Sequence, residues 1–410
     1  MSYEAPFEGV RVVDVSQGLA APYCASLLAQ HGADVVKVEP VGGDWSRLLG
    51  PVQGDHTAFS ITANLGKRSI AANLKDAQGR AILWRLLRGA DLLIEGFRPG
   101  VIDRMGFGYD AVCAREPRIL MLSVSGFGPI GPLAERPAMD PVLQAYTGLT
   151  MENAGEDGIP RRVPISIVDM STGLYAFQAA SAALYARLNQ PRGRHLQVSL
   201  LQAATAMQAV RLLASTFEGA TLPVNIPPSG AYRTADGWVT IQIATDRDWK
   251  HLCEALEVPG LADDARFRDR ESRLANGAAL AAAFRPVFAA KPMAHWEARF
   301  VPARILHERL NTYREFLSQA HVEASQTVSW LRQPGLAQPV PVPNLPGLAP
   351  LADGSTRARA PRCGEHTDEV LAGLGYDPEE IAELRARGVV AGPTRTPADA
   401  PADRAVDRTA

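Results

Sequence analysis

The chain has 410 residues, 46% of them apolar and 21% charged, and a formal net charge of −2. That balance excludes a disordered or collagenous chain, and with no long basic run it lacks the electrostatic footprint of a nucleic-acid binder. Four scattered cysteines without a C-x-x-C pair, no run of eighteen apolar residues and no basic-then-apolar leader exclude a disulfide or zinc framework and a spanning helix, so a cytoplasmic, non-membrane protein is expected. The first strand is read at Gly9-Val10-Arg11-Val12-Val13-Asp14-Val15, and residues 23–30 form the helix after it. A second strand follows at Val35-Val36-Lys37-Val38-Glu39. A helix over 77–88 precedes the strand Asp91-Leu92-Leu93-Ile94-Glu95, and 119–125 is the next apolar strand. Strands alternating with helices of this length imply βαβ units and a buried parallel sheet, with ligands at the carboxyl ends of the strands.

Two long helices are expected over 170–189 and 198–217. Beyond Gly219 the texture changes: Pro223, Pro227 and Pro228 mark a linker, and Asp236-Gly237 turns a hairpin. Helices follow at 249–256, 278–288 and 295–300. These readings divide the chain into a large α/β domain (1–220), a small α+β domain (225–325), a Pro-rich return segment completing the large domain (328–390, with a helix in 379–387), and a disordered tail (391–410).

No G-x-x-x-x-G-K-[ST] phosphate loop, H-E-x-x-H helix or G-x-S-x-G elbow occurs. The G-x-G-x-x-G dinucleotide fingerprint is read as absent, so a nucleotide-dependent oxidoreductase loses support. His307-Glu308 reads as a solvated helix face. What remains is a set of glycine turns at strand ends with cations nearby. They are Gln17-Gly18-Leu19-Ala20, Asn64-Leu65-Gly66-Lys67-Arg68-Ser69 leading to Lys75, and Glu95-Gly96-Phe97-Arg98-Pro99-Gly100 running into a short helix at 101–106. Cations beside a helix start suit a multiply phosphorylated ligand, whereas the plainer reading is ordinary βα loops with solvated Lys and Arg. Asp169, between an apolar run and a helix start, is read either as a first-turn charge or as a nucleophile that stays ionised in one orientation.

Taken in order, six stretches resemble the class III CoA-transferases of the formyl-CoA and carnitine type. They are Pro6-Phe7-Glu8-Gly9-Val10-Arg11-Val12-Val13-Asp14, Gly32-Ala33-Asp34-Val35-Val36-Lys37-Val38-Glu39-Pro40, Asn64-Leu65-Gly66-Lys67-Arg68-Ser69, Glu95-Gly96-Phe97-Arg98-Pro99-Gly100, Ser125-Gly126-Phe127-Gly128-Pro129 and Gly364-Glu365-His366-Thr367. The resemblance implies a Rossmann-like large domain and an interlocked homodimer. It also implies transfer of CoA from an acyl-CoA donor to a carboxylic acid, with no metal or redox cofactor, and makes Asp169 the nucleophile. It places Gly18, Leu19 and Ala20 against the nucleotide of CoA, and Ala72 and Lys75 at the adenine and 3′-phosphate. Gly96, Phe97, Arg98, Val101, Arg104 and Met105 would lie along the diphosphate and pantetheine. Pro40 and Pro137 stand where the formyl-CoA type has basic residues, and its mobile glycine loop has no counterpart near Pro227-Pro228-Ser229-Gly230, which weakens an oxalate-type substrate. The related α-methylacyl-CoA racemases need a histidine where this chain has Met139, and Met139 cannot shuttle a proton. Asp140 is expected to be structural, capping the helix through Gln144, and acceptor choice is expected from residues 138–148 and the small domain. A CoA-binding protein without catalysis is the remaining alternative, although Asp169 is intact.

Overall fold

In a computed structural model the described residues are 4–155, 157–190, 192–218, 227–243 and 245–393. The chain divides into two compact units, one of Met1–Ala209 with Gln326–Ala410 and one of Val210–Ser325. The division falls at Val210, some way before the linker prolines that the sequence suggested. The expected tail lies, from residue 394 onward, outside the described residues.

In the first unit, β1 (Arg11–Asp14), α1 (Ala20–Gln30), β2 (Asp34–Glu39), α2 (Ala58–Asn64), β3 (Arg68–Ala72), α3 (Ala77–Leu87) and β4 (Leu92–Glu95) follow in order. After them come α4 (Val101–Arg104), α5 (Tyr109–Arg115), β5 (Leu120–Ser125), α6 (Asp140–Tyr146), α7 (Leu149–Glu152), α8 (Ile167–Arg187), β6 (Arg194–Ser199) and α9 (Leu200–Met207). In the second unit, β7 (Gly230–Arg233), β8 (Trp238–Gln242) and β9 (Leu306–Arg309) form an antiparallel sheet. In the return segment, β10 (Val328–Leu331) pairs with β11 (Val340–Pro343), and β12 (Val390–Ala391) joins the large sheet.

That sheet runs β12-β3-β2-β1-β4-β5-β6, parallel throughout except for β12. Both faces are covered. Val13, Val36 and Leu93 point into a core beneath α3 and the helices Thr367–Gly373 and Pro378–Ala386, whereas Val12, Val35 and Leu92 point into a core beneath α1 and α8. This two-sided burial is why the strands read as unbroken apolar runs. Because β3, β2, β1, β4 and β5 are parallel, the loops that leave them emerge at one end of the sheet. The Rossmann-like α/β reading of the large unit therefore holds.

Three readings are corrected. Arg68 and Ser69, taken as the end of a glycine turn, open strand β3 (Arg68–Ala72). The segment expected as one helix over 198–217 begins as the end of β6, and Ser199 caps α9 by accepting from the Gln202 N–H at 3.1 Å. The register Ser123↔Gln197 and Met121↔His195 shows why β6 was missed: polar residues of an edge strand alternate there, with no apolar run. His307-Glu308 is strand, paired with Ile241 and Thr240.

The reading that no G-x-G-x-x-G occurs is also corrected: the spacing stands at Gly126, Gly128 and Gly131 after β5. Bends and turns follow it, with no helix start until Asp140, so it offers no helix N-terminus to a dinucleotide. The second unit turns at residues 234–237, where the Thr234 N–H donates to Gly237 O at 2.9 Å, and its core packs Trp249, Phe284, Phe288 and Phe300. Among the described residues no helix is long and apolar enough to cross a membrane.

Candidate active site

Asp169 occupies the first turn of α8. Ser166 precedes the helix without capping it through its side chain. The cap comes instead from Asp140, whose Oδ2 accepts from the Val168 N–H at 2.7 Å and the Asp169 N–H at 3.1 Å. Asp140 opens α6 but caps α8, correcting the expectation that it caps its own helix. Gln144, one turn on, donates to Asp140 Oδ1 at 2.6 Å and to Val163 O at 3.2 Å, and accepts from the Val163 N–H at 2.8 Å. The backbone entering α8 is thus tied to α6 on both sides, and the orphan N–H groups of the helix start are satisfied by a buried carboxylate.

Burial raises the Asp169 carboxyl, and the like charge of Asp140 adds to the rise, bringing it to about 7. The helix start does not hold it fully ionised at neutral pH, as the sequence suggested, because desolvation and a neighbouring carboxylate outweigh the dipole. Among the described residues no donor is hydrogen-bonded to its side chain.

One turn beyond Asp169, Gly173 packs directly on the start of α1. A Cβ at Gly173 would lie 2.8 Å from Ala20 O and 2.7 Å from the Tyr23 ring, which only glycine allows. Residues four apart share a helix face, so Asp169 lies on the face of α8 turned toward the loop after β1. That loop carries Gly18, Leu19 and Ala20. Gly18 adopts φ +85°, its N–H donates to Asp44 Oδ1 at 3.0 Å, and the Trp45 ring fills the space where a side chain would stand. Leu19 and Ala20 are buried, so any ligand contact there is made by backbone.

Beneath this loop lies a buried charge network that the sequence reading missed. Lys67 Nζ donates to Asp14 Oδ2 at 2.7 Å and Pro22 O at 2.8 Å, and Lys37 Nζ is 3.1 Å from Asp44 Oδ2. Arg47 forks onto Glu39 with two 2.7 Å bonds, and the Ser69 hydroxyl donates to Glu39 at 2.7 Å. Burial alone would raise the Glu39 carboxyl, but Arg47 and Lys37 hold it down at about 2. Lys67 is neither a ligand cation nor solvated, contrary to both sequence readings. The available signal was three charged residues, Asp14, Lys37 and Glu39, inside strands otherwise built for burial on both faces; such residues require partners.

The other expected CoA contacts fall at the same end of the sheet. Lys75, after β3, is exposed, and only its backbone is engaged, with its N–H donating to Asn73 Oδ1 at 3.1 Å and its carbonyl accepting from Arg80 at 2.7 Å. Ala72 is 1% exposed and packed in the core, so its side chain offers a ligand no surface. Gly96, after β4, lies against Ser16 of the β1 loop and Ala21 of α1, joining the two loops. Arg98 and Arg104 are exposed, while Phe97, Val101 and Met105 are half-buried. Met139, the N-cap residue of α6, is 54% exposed.

The sequence model described as CoA-transferase family III matches residues 7–367. The chain belongs to the class III CoA-transferases. It is 37% identical over 302 residues to the acetyl-CoA:oxalate CoA-transferase of Acetobacter aceti, covering 72% of this chain and 77% of that protein. It is 31% identical to the succinyl-CoA–L-malate CoA-transferase beta subunit of Chloroflexus aurantiacus, over 94% of this chain and 98% of that one. Among solved structures, a CAIB/BAIF family protein from Brucella suis superposes with a TM-score of 0.80 at 29% identity, over 90% of this chain and all of that one. The protein is therefore an enzyme, a CoA-transferase. Within it, the family stretches noted in the sequence include five members of the buried network: Asp14, Lys37, Glu39, Lys67 and Ser69 hold the loops of this transferase from below.

Proposed function

We propose that this transferase moves CoA from an acyl-CoA thioester to a carboxylic acid through covalent intermediates on Asp169. The Asp169 carboxylate attacks the thioester carbonyl, the C–S bond breaks, and a mixed anhydride and CoA thiolate result. The thiolate attacks the aspartyl carbonyl, releasing the donor's carboxylate and leaving an aspartyl-CoA thioester. The acceptor carboxylate then attacks that thioester, and the returning thiolate forms the new acyl-CoA and frees Asp169. Every bond balances without a metal or redox cofactor. The observation that carries this reading is the capped, half-buried Asp169 on the helix face turned toward the Gly18–Ala20 loop.

Relatives named for succinyl-CoA with malate, glutarate or citramalate support a succinyl-CoA-type donor and a short dicarboxylate acceptor. A homodimer is part of the proposal. Tyr185 and Leu188 at the end of α8 are 74% and 67% exposed, an apolar surface that a second copy would cover. Hydroxylamine added with donor thioester is expected to trap the aspartyl intermediate, and a 2-methylacyl-CoA in heavy water to gain little α-deuterium. Rapid deuterium uptake without acceptor would instead support racemase chemistry.

Lys75 and Arg104 are proposed as phosphate contacts of CoA. Both are exposed at the loop end of the sheet, and the Arg104 guanidinium folds back over Gly100. A guanidinium offers paired donors to a phosphate where an ammonium offers a point charge. A charge-assisted contact is worth about 1.5–3 kcal/mol, roughly tenfold or more in affinity. Arg104→Ala is therefore expected to weaken CoA binding more than Lys75→Ala, with partial recovery in Arg104→Lys. Calorimetric titration of CoA measures this, and wild-type affinity in Arg104→Ala would displace the site.

A further inference from the structure

A second line of polar side chains crosses β4, β5 and β6 away from Asp169. Glu95, 3% exposed, ends β4 and lies opposite Ser123 in the sheet register. Its carboxylate accepts from the Phe97 N–H at 2.8 Å, and the neighbouring Ser123 hydroxyl favours its ionised form. On its other side Ser123 Oγ is 2.8 Å from His195 Nε2, and the His195 ring stacks on Tyr109 at 5.2 Å. All three side chains line one cavity of about 320 Å³, whose wall also includes Phe97, Arg98 and Asp103.

We propose that Glu95, Ser123 and His195 form a proton-exchanging line, in which Glu95 is a positioning residue that couples protonation to the grip of the Gly96–Met105 segment on CoA. The inference rests on the CoA assignment of that segment. With Glu95 ionised, Ser123 donates to its carboxylate and accepts from Nε2–H of His195. When a proton arrives from the cavity at His195 Nδ1, the Nε2 proton passes to Ser123 and the hydroxyl proton to Glu95. The imidazole ends as the neutral Nδ1–H tautomer and no hydrogen bond is lost. The line thus gives a carboxyl that is almost inaccessible to water a route to protons.

The ionised carboxylate lies under a segment whose cations, Arg98 and Arg104, serve an anionic ligand, so protonation favours CoA. The charged or titratable groups facing the line are Asp103 of α4, Asp110 and Tyr109 of α5, Arg98 of the loop and His195 of β6. Burial, with Asp103 adding, raises the Glu95 carboxyl to about 7, while burial keeps His195 below the usual imidazole range. Protonation of Glu95 therefore falls within the neutral range.

The test is calorimetric titration of CoA into the full chain between pH 6 and 8. The wild-type Kd is expected to rise about fivefold more than that of Glu95→Gln over this range, the lower end of ordinary site-to-site coupling. Ser123→Ala removes a donor that favours ionised Glu95, so its midpoint is expected to move to higher pH. Either a Glu95→Gln profile parallel to wild type or an unmoved midpoint in Ser123→Ala overturns the inference. Arg104→Ala tells the two failures apart: if it binds CoA normally, the segment was wrongly assigned, and if it binds weakly, only the proton line is lost.

Discussion

Asp169→Asn is expected to keep the fold and CoA binding while CoA exchange falls by roughly 10⁴-fold or more, because the amide fits the same space but lacks an anionic oxygen to attack the thioester. Asp169→Ala should be equally inactive. Mass-spectrometric readout of exchange between a donor thioester and a panel of acids measures both, and full turnover in either rejects Asp169 as nucleophile. The pH profile follows from the environment of the carboxyl. With its midpoint at about 7, Asp169 is the competent anion above that pH and is protonated below it, so the rate should fall as pH drops through 7. Asp140→Asn removes the nearby like charge. The acidic limb should then move to lower pH, yet remain above the range of an exposed aspartate because burial is the larger cause. A limb that stays in place in Asp140→Asn would assign it to another group.

The largest expected loss of stability comes from Lys67→Ala. The Lys67 ammonium is fully buried and bonds Asp14, Pro22 O and Asn64 Oδ1. Removing it leaves Asp14 with Lys37 at 3.8 Å as its remaining ion-pair partner and strands two acceptors. Breaking a buried pair from one side costs about 3–5 kcal/mol. Denaturant melts followed by a probe in the large unit should show the loss. An Asp14→Asn/Lys67→Met double variant should recover part of it, because no uncompensated charge then stays inside. A Lys67→Ala protein that melts with the wild type would show that the network contributes nothing net.

The parts of the fold that were legible in sequence had continuous apolar runs punctuated by glycine. β1, β2, β4 and β5 are of this kind, as is the β7–β8 hairpin with its Asp236-Gly237 turn. The segments missed were short or polar: β3 behind Lys67-Arg68, the alternating edge strand β6, and β9 with its His-Glu pair. The catalytic candidate was legible only through the family resemblance, because an isolated carboxylate at a helix start reads as a first-turn charge. The partner that caps it was not legible in that role: Asp140 and Asp169 are 29 residues apart, and nothing local says that the first caps the helix of the second. The charge network was hidden for the same reason, since Asp14 and Lys67 are 53 residues apart and meet only when β1 and β3 lie in one sheet.

The pairing of Val390 and Ala391 with Ala72 and Ala71 sets the order in which this chain can be completed on the ribosome. The outer edge of the large sheet stays open until almost the last described residue has been made. The Arg47 side chain likewise waits for Pro361 O, 314 positions downstream. Contacts of such separation slow folding, and an uncovered strand is a template for pairing with other chains. The unit at Val210–Ser325 closes on contacts within its own span and is synthesised well before the large sheet can be finished. Nascent chains therefore pass through a stage in which a finished insert hangs from an unfinished sheet, and it is then, rather than in the mature enzyme, that β3 is most exposed to aggregation.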